Sequence, residues 1–440
     1  MRKDLTATEI KEISRKKDKR ALIVIICVLL AVCFFFGGFA AGYFADNNLT
    51  NSLNWVTSMI DKNYCYYDEE TGTYKKFTDE DYADAIVKTL LDKYSDYYTE
   101  QEFTDVVYTS LGNNYGTGIY FYRYSEDLSV FVVAGNSPAE KAGMEKGDVI
   151  VAGLNESGER INFADREELF AYINKFKEKE KFSLTIIRNG VEMSFFVQKE
   201  VYVESYVYYK DSEKTYAFRA DDGKDPEPVE MNGGMNELPT DTAFIRLEEF
   251  SGGAAEQFAY AMDYMKERGK TKLILDLRSN GGGQMDILTK IASYLVYSEN
   301  DKRPVIAVSK NKRNVKTYFT ASGDNFNRNI KKIVVLADGN TASASECLIG
   351  AMAYYKKAFT LDNLVITEHD GKYTTYGKGI MQTTYRNFVT GEGIKLTTDY
   401  IFQPDETTTI HGVGFIATEG NGVINESLSV PRALEILAQP

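Results

Sequence analysis

The chain has 440 residues, of which 43% are hydrophobic and 26% charged, a composition that excludes a fully disordered or collagen-like protein. Its length predicts roughly two to four domains. The net charge is −13. Affinity for duplex nucleic acid comes mainly from Lys and Arg side chains that neutralise phosphates, so an acidic protein is a poor nucleic-acid binder. We therefore expect no nucleic-acid partner.

The N-terminus combines a basic tail with a long uncharged segment. Residues 1–20 hold eight basic and four acidic side chains, and residues 21–45 hold no charged side chain. That segment exceeds the roughly 20 residues that a helix needs to cross the hydrocarbon core, and the basic cluster before it places the N-terminus in the cytoplasm. The sequence therefore predicts a cytoplasmic tail at 1–20, a single transmembrane helix at 21–45 in the cell membrane, and an extracytoplasmic remainder.

A cleaved signal peptide is the competing interpretation. The apolar segment is longer than the roughly 7–15 residues typical of a signal sequence, and Ala40-Ala41-Gly42 is an indifferent cleavage site. A lipoprotein motif would need a small residue before Cys33, where the chain has Val32. We therefore expect a retained membrane anchor.

The cysteines and histidines limit the chemistry that the sequence allows. Two of the four cysteines lie within 21–45, which leaves the widely separated Cys65 and Cys347 and no disulfide framework or zinc-site spacing. His369 and His411 are the only histidines in the chain. The sequence predicts no metal site and no cofactor.

Two patterns follow the membrane segment. Residues 55–110 are predicted to be mostly helical, with apolar positions at helical spacing and a capping-box pattern at Thr99–Glu102. From Leu111 to Glu200 the period becomes that of short strands, with one main helix at Asp165–Phe176 and a hairpin turn at Asn189-Gly190. These patterns predict a helical region followed by a small β-rich domain.

The rest of the chain alternates strands and helices. A polar stretch from Asp211 to Asp241 predicts an exposed loop or insertion. The strands predicted after it lie at 243–247, 272–277, 305–308 and 333–337, and the helices at 254–268, 285–296 and 345–355. This alternation predicts βαβ units with a largely parallel sheet, and thus an α/β (α+β) fold class.

Functional sites in such sheets gather at the carboxyl ends of strands, and two strand ends stand out. Residues 276–283 end in three glycines, which allow the backbone to approach a ligand and to direct its N–H groups toward it. A lone glycine triplet is more often a flexible turn, and no phosphate-loop pattern follows it. Residues 338–346 place two serines in a strand-to-helix turn, where the helix N-terminus favours developing negative charge.

A nucleophilic serine needs a base, and two histidines in uncertain surroundings support a Ser-His-Asp triad poorly. Lys378 is the better candidate, because its glycine neighbours allow close approach and burial lowers the pKa of a lysine. Gln382 lies an even number of residues further on and would face the same side of a strand. Taken alone, Lys378 would by default be a solvated surface lysine.

Together these motifs resemble the carboxyl-terminal processing (tail-specific) serine proteases. The segments that carry the resemblance are Leu91–Thr99, Tyr115–Ile119, Ser137–Asp148, Asp276–Gly283, Thr341–Glu346 and Gly377–Gln382. They occur in the expected order over roughly residues 50 to 430, and ordered motifs are far more specific than any single one.

The resemblance implies a domain organisation and a function. A helical N-terminal region would span 46–104, a PDZ-like domain 105–200, and a ClpP/crotonase-like serine protease domain 201–440 with an insertion at 211–241. It implies a membrane-anchored endopeptidase that cleaves exported or membrane-attached polypeptides near their C-termini, and it allows a homodimer.

It also implies roles for individual residues. The nucleophile would be Ser343 rather than Ser345, the general base Lys378, and the partner of the base Gln382. The amides implied for the oxyanion hole are those of Ala344 and of Gly282 or Gly283. The residues implied to bind a C-terminal carboxylate, while the peptide adds as a strand, are Gly116, Thr117, Gly118 and Ile119.

The sequence bears on two other possible functions, a peptide-binding scaffold and a Ser-His hydrolase. A catalytically inactive, PDZ-containing peptide-binding scaffold would be indicated by the loss of Ser343 or Lys378, and both are present. A Ser-His hydrolase that uses His411 is disfavoured, because His411 lies in a glycine-flanked loop to which no acidic partner can be assigned.

Overall fold

The structure, a computed structural model, describes residues 47–64, 67–68, 73–74, 76–121, 127–219, 227–231 and 233–439. The predicted cytoplasmic tail, the predicted transmembrane helix at 21–45 and Cys65 lie outside these residues. Within the described ranges, no helix combines the length and apolar character needed to span a membrane. Contacts divide the chain after Leu90 into two compact units.

The described part of the first unit contains two helices and a short hairpin. Its elements are α1 (Asn47–Asn63), β1 (Tyr67–Asp68), β2 (Thr73–Tyr74) and α2 (Asp79–Leu90). The Tyr82 hydroxyl of α2 donates a hydrogen bond to Asp61 of α1 at 3.0 Å. Helices thus occupy most of the described part of this unit, as the apolar spacing predicts.

The second unit begins with β3 (Asp96–Tyr98) and α3 (Glu100–Ser110). The predicted capping box is present at the start of α3. The Thr99 amide donates to the Glu102 carboxylate at 2.9 Å, and the Glu102 amide donates to the Thr99 hydroxyl at 3.3 Å.

A β-rich region follows. Its elements are β4 (Asn113–Gly116), β5 (Ile119–Phe121), β6 (Val130–Val133), α4 (Pro138–Ala142), β7 (Val149–Leu154), β8 (Arg160–Asn162), α5 (Arg166–Asn174), β9 (Phe182–Arg188), β10 (Val191–Val197) and β11 (Glu200–Val203). Four strands form a sheet in the order β10-β9-β7-β8, and β5-β6 and β4-β11 form two-stranded pairs. The predicted hairpin turn joins β9 to β10, with Asn189 and Gly190 at φ 51° and 78°.

Residues 207–438 form two further sheets with helices packed on them. The strands are β12 (Val207–Lys210), β13 (Thr215–Arg219), β14 (Glu227–Met231), β15 (Thr242–Leu247), β16 (Lys272–Asp276), β17 (Val305–Asn311), β18 (Lys316–Thr320), β19 (Lys332–Ala337), β20 (Leu364–Thr367), β21 (Ile380–Arg386), β22 (Gly393–Phe402) and β23 (Gly422–Val423). The helices are α6 (Ala254–Glu267), α7 (Met285–Leu295), α8 (Ala344–Tyr355) and α9 (Ser429–Ala438), with short 3₁₀ turns at Leu361–Asn363 and Glu426–Leu428.

The larger sheet has the order β14-β13-β12-β15-β16-β19-β20-β23. Strands β15 to β23 of this order run parallel, which confirms the predicted parallel arrangement in that half. Alternate residues face opposite sides, as the two-residue period of a strand requires. Leu273 and Leu275 pack with Phe258 of α6 and Leu348 of α8, whereas Ile274 packs with Ile436 of α9.

The other half of the sheet is antiparallel and was not predicted. Residues 211–241 were expected to be an exposed loop or insertion, but β13 and β14 pair within this stretch and extend the sheet beyond β12. Asp211 is fully buried, and its carboxylate accepts hydrogen bonds from Arg268 and from the Glu213 amide at 2.8 Å. The exposed-loop alternative was wrong because a charged side chain in a polar run can be paired inside the fold rather than solvated. That the stretch is an insertion stays a prediction.

The smaller sheet has the order β18-β17-β22-β21, and β3 adds to the edge of β22. It contacts the helix side of the larger sheet through the Tyr355 hydroxyl of α8, which donates to the Val305 carbonyl of β17 at 3.2 Å. The end of β19 and the start of β21 belong to different sheets, and these two points carry the predicted nucleophile and base.

Candidate active site

Ser343 occupies the turn between β19 and α8. It is the N-cap residue of the helix, with φ 57° and ψ −114°, a positive φ that is costly for a residue other than glycine and is characteristic of functional turns. Ser343 is half-buried, whereas Ser345 is fully buried and its hydroxyl donates to the Asn280 carbonyl at 3.1 Å. This geometry favours Ser343 as the reactive serine.

The turn is tied to the glycine-rich loop at the end of β16. The Asp338 carboxylate accepts hydrogen bonds from the amides of Ser279 and Thr341, both at 3.0 Å. The Ala342 amide donates to the Asn280 carbonyl at 3.0 Å. The two strand ends singled out in the sequence therefore form one site.

The glycine loop abuts Ser343 directly. Gly282 has φ 103°, and a Cβ atom there would lie 2.8 Å from both the Ala344 nitrogen and the Ser343 Cβ. The Gly282 amide donates to the side-chain oxygen of Asn280 at 2.9 Å. Because that N–H is engaged, the geometry favours the Gly283 amide as the second oxyanion donor beside Ala344.

This packing predicts different outcomes at two neighbouring glycines. We expect Gly282→Ala to lower kcat/KM by roughly a hundredfold or more, the size typical of a lost oxyanion donor, because the new methyl group displaces the loop from Ala344. Gly281→Ala is the matched control, since no heavy atom lies within 4 Å of its Cβ position. Steady-state hydrolysis and thermal unfolding of both variants test this, and equal activity of the two would contradict it.

Lys378 lies two residues before β21 and is half-buried. Its Nζ atom is 4.9 Å from the centroid of the Tyr94 ring. Burial lowers the pKa of Lys378, and the nearby Lys395 cation lowers it further, against the opposite effects of Tyr376, Asp92 and Glu346. The direction is the one that a neutral amine base requires.

Gln382 lies in β21 opposite Thr397 of β22, and its amide donates to the Thr397 hydroxyl at 3.1 Å. The pairing register shifts between Met381 and Gln382, where β22 has one extra residue, Thr398. Lys378 lies before the first residue of β21, so the strand alternation on which the predicted alignment depends does not extend to it. Support of Lys378 by Gln382 stays a prediction.

Glu346 belongs to one of the motifs that carry the family resemblance, but the sequence alone predicts no role for it. Its fully buried carboxylate accepts four hydrogen bonds. The donors are the Ser343 amide at 2.9 Å, the Lys378 amide at 2.9 Å, the Gly377 amide at 2.8 Å and the Thr375 hydroxyl at 2.6 Å. Burial raises the pKa of Glu346 and these hydrogen bonds oppose the rise. The spacing of Ser343 and Glu346 is that of a capping box, a signal that could have identified this residue.

A cavity of about 940 Å³ opens beside the glycine loop. Its walls include Gly281 and Gly283 of the loop, Phe131 and Val133 of β6, and Tyr206. This volume lies at the upper end of typical ligand sites, so the cavity can hold several residues of an extended polypeptide close to Ser343.

The predicted carboxylate-binding residues form the connection between β4 and β5. The Thr117 and Gly118 carbonyls accept hydrogen bonds from the amides of Ala139 and Ala134 at 2.9 and 2.8 Å. Gly118 has φ 79°, and a Cβ there would lie 2.1 Å from the Ser137 Cβ. Among the described strands β5 pairs only with β6, so its other edge could accept a peptide as an added strand.

The remaining candidates are the histidines. The His411 ring packs against Tyr400 with centroids 5.5 Å apart, and His369 lies near Asp370 at 3.8 Å. Over the part of the chain that the structure describes, no group of three or more His, Cys, Asp or Glu side chains could hold a metal ion.

The chain is similar to known serine proteases in sequence. The sequence model of Peptidase family S41 matches residues 241–419. A "Probable CtpA-like serine protease" of Staphylococcus saprophyticus is 26% identical over 412 residues, or 92% of this chain and 73% of that protein. A protein of the same description from Staphylococcus aureus is 25% identical over 370 residues, or 84% of this chain and 64% of that protein. The solved photosystem II D1 C-terminal processing protease aligns over 84% of this chain and 86% of its own, with 19% identity and a TM-score of 0.47.

Proposed function

Because this chain belongs to the C-terminal processing serine proteases of family S41, we propose that it is a membrane-anchored serine endopeptidase that uses a Ser343/Lys378 dyad. Its substrates are exported or membrane-attached polypeptides, which it cleaves near their C-termini. The anchor is the uncharged segment 21–45, with the N-terminus in the cytoplasm and the protease domain on the other side.

One observation carries the catalytic part of this proposal. A single oxygen of Glu346 accepts the amides of both Ser343 and Lys378, each at 2.9 Å. Two segments from different sheets are therefore fixed to one buried carboxylate. A nucleophile and a base held in this way are pre-oriented for reaction, which is a large part of catalysis.

The chemistry proceeds through an acyl-enzyme. The neutral Lys378 amine takes the proton from the Ser343 hydroxyl as the oxygen attacks the scissile carbonyl carbon. The Ala344 and Gly283 amides stabilise the resulting oxyanion. The lysine ammonium then gives the proton to the departing amine, and a water molecule, deprotonated by Lys378, hydrolyses the ester and restores Ser343.

Substrate binding uses the β-rich region and the cavity. The C-terminal carboxylate of the substrate binds at Gly116–Ile119 and the adjoining residues add along the edge of β5. The upstream part of the polypeptide enters the cavity beside Gly283. A PDZ-like role for residues 105–200 rests on the sequence motifs and this strand edge.

The full-length protein in lipid nanodiscs tests the proposal with one unfolded polypeptide in two forms, with a free or an amidated C-terminus. We expect wild type to cleave the free form, to bind and cleave the amidated form less well, and to yield an acylated Ser343 detectable by mass spectrometry. His411→Ala is expected to retain cleavage. Binding of the free form by wild type without turnover would instead support the scaffold hypothesis.

A further inference from the structure

The segment before α3 reaches the candidate base. Tyr94 is half-buried, and its ring centroid lies 4.9 Å from the Lys378 Nζ atom. The Tyr94 hydroxyl is 2.9 Å from the Tyr376 hydroxyl, which belongs to the same connection as Lys378. Tyr94 belongs to the segment Leu91–Thr99, which carries part of the family resemblance, but the sequence alone predicts no role for it.

Several contacts fix the position of this ring. The Asp92 carboxylate accepts the Tyr94 amide and the Ser95 hydroxyl, both at 3.0 Å. Strand β3, two residues further on, is paired with β22 of the smaller sheet. The Lys93 amine donates to the Tyr376 hydroxyl at 2.6 Å. Burial and the bond to Tyr376 raise the pKa of Tyr94 to about 12, so the ring over the lysine is an uncharged phenol at neutral pH.

We propose that Tyr94 is a positioning residue for Lys378, whose ring covers the amine and keeps water away from it, so that residues 92–98 complete the active site of the protease domain. This inference rests on the proposed Ser343/Lys378 function. It implies that residues 201–440 alone lack part of the surroundings that the base needs.

Two effects of the ring on the amine oppose each other. An aromatic face attracts a cation and favours the protonated lysine. Exclusion of water disfavours the charged form, and this effect can reach several pKa units in fully buried sites. Because burial dominates the surroundings of Lys378 and its pKa is lowered overall, we expect the covering effect of the ring to be the larger.

The charged and titratable groups around the amine come from every neighbouring element. They are Asp92, Lys93 and Tyr94 before β3, Glu346 of α8, Tyr376 beside Lys378, and Lys395 of β22. Tyr94→Ala leaves the other five side chains in place, but it also removes the hydrogen bond between the Tyr94 and Tyr376 hydroxyls, as Tyr94→Phe does. The difference between these two variants therefore reports the loss of the covering ring.

The pH dependence of kcat/KM for the full-length protein tests the proposal. Tyr94→Ala is expected to raise the midpoint of the alkaline rise by roughly one pH unit, the usual size of an environmental shift. At pH values well below the wild-type midpoint kcat/KM then falls about tenfold, and at high pH the two profiles converge because Lys378 is neutral in both proteins. Tyr94→Phe keeps the ring and is expected to keep the wild-type midpoint.

Tyr297→Ala is the matched control, because the Tyr297 ring lies over a different lysine outside the site, with its centroid 5.1 Å from the Lys357 Nζ atom. An equal loss of rate at every pH in Tyr94→Ala, or a midpoint that moves as much in Tyr297→Ala, would overturn the inference. A substrate-free measurement separates it from the proposed function. NMR of methyl-labelled lysines measures the pKa of Lys378 in Ser343→Ala protein, with and without Tyr94→Ala. We expect this pKa to rise when Tyr94→Ala is added. An unchanged pKa would overturn the inference even if cleavage depends on Ser343.

Discussion

Hydrolysis by the Lys378→Ala variant is expected to be slower than wild type by roughly a thousandfold or more, because the serine loses the base that the proposed mechanism assigns to it. Lys378→Arg distinguishes a base from a simple cation. Arginine keeps the positive charge and a similar length, but it does not become neutral in proteins. We therefore expect Lys378→Arg to be as inactive as Lys378→Ala, and both to keep the unfolding midpoint of wild type within a few degrees.

The same mechanism fixes the direction of the pH dependence. A base must be deprotonated, so kcat/KM should rise with pH and level off above the pKa of Lys378. Burial and the Lys395 cation place this pKa below the ordinary lysine value, and the rise should therefore occur at lower pH than for a solvated lysine. Initial rates in buffers of constant ionic strength measure it. A rate that does not change from about pH 5 to about pH 10 would contradict a lysine base, as would substantial activity of Lys378→Arg.

The features that the sequence predicted correctly are those encoded by neighbouring residues. The hairpin turn at Asn189-Gly190 needs a positive φ at both positions, which Asn and Gly adopt readily. The strand, turn and helix around Ser343 are visible in an apolar run followed by small residues. In such cases the local chemistry is sufficient to specify the local structure.

The features that the sequence did not predict depend on distant contacts. Tyr94 and Tyr376 touch although 282 residues separate them, and no local pattern indicates which aromatic ring will lie over a lysine. Asp211 is in a polar run, yet its partner Arg268 lies at the end of α6 and allows it to be buried. Each depends on tertiary packing that local propensity does not encode.

Glu346→Ala is expected to impair both stability and catalysis, which distinguishes it from a loss of the nucleophile alone. The substitution leaves four donors without their acceptor in a buried site, and an unsatisfied buried group costs about 1–3 kcal/mol. A misplacement of reacting groups by about 1 Å can lower the rate a hundredfold. We therefore expect a lower unfolding midpoint together with a fall in kcat of roughly a hundredfold, and little change in KM.

Two variants show whether the carboxylate acts by joining the two segments. Glu346→Gln keeps the size of the side chain, but its amide group would place N–H donors either against the amides of Ser343 and Lys378 or against the Gly377 amide and the Thr375 hydroxyl. It should therefore lose most of the activity. Thr375→Val removes one of the four donors, at 2.6 Å, and leaves both oxygens able to accept the backbone amides, so its loss should be smaller. A glutamine side chain has only one accepting oxygen, so it cannot accept hydrogen bonds from the donors on both sides. A wild-type kcat in Glu346→Gln would therefore show that Ser343 and Lys378 are held in place without this carboxylate.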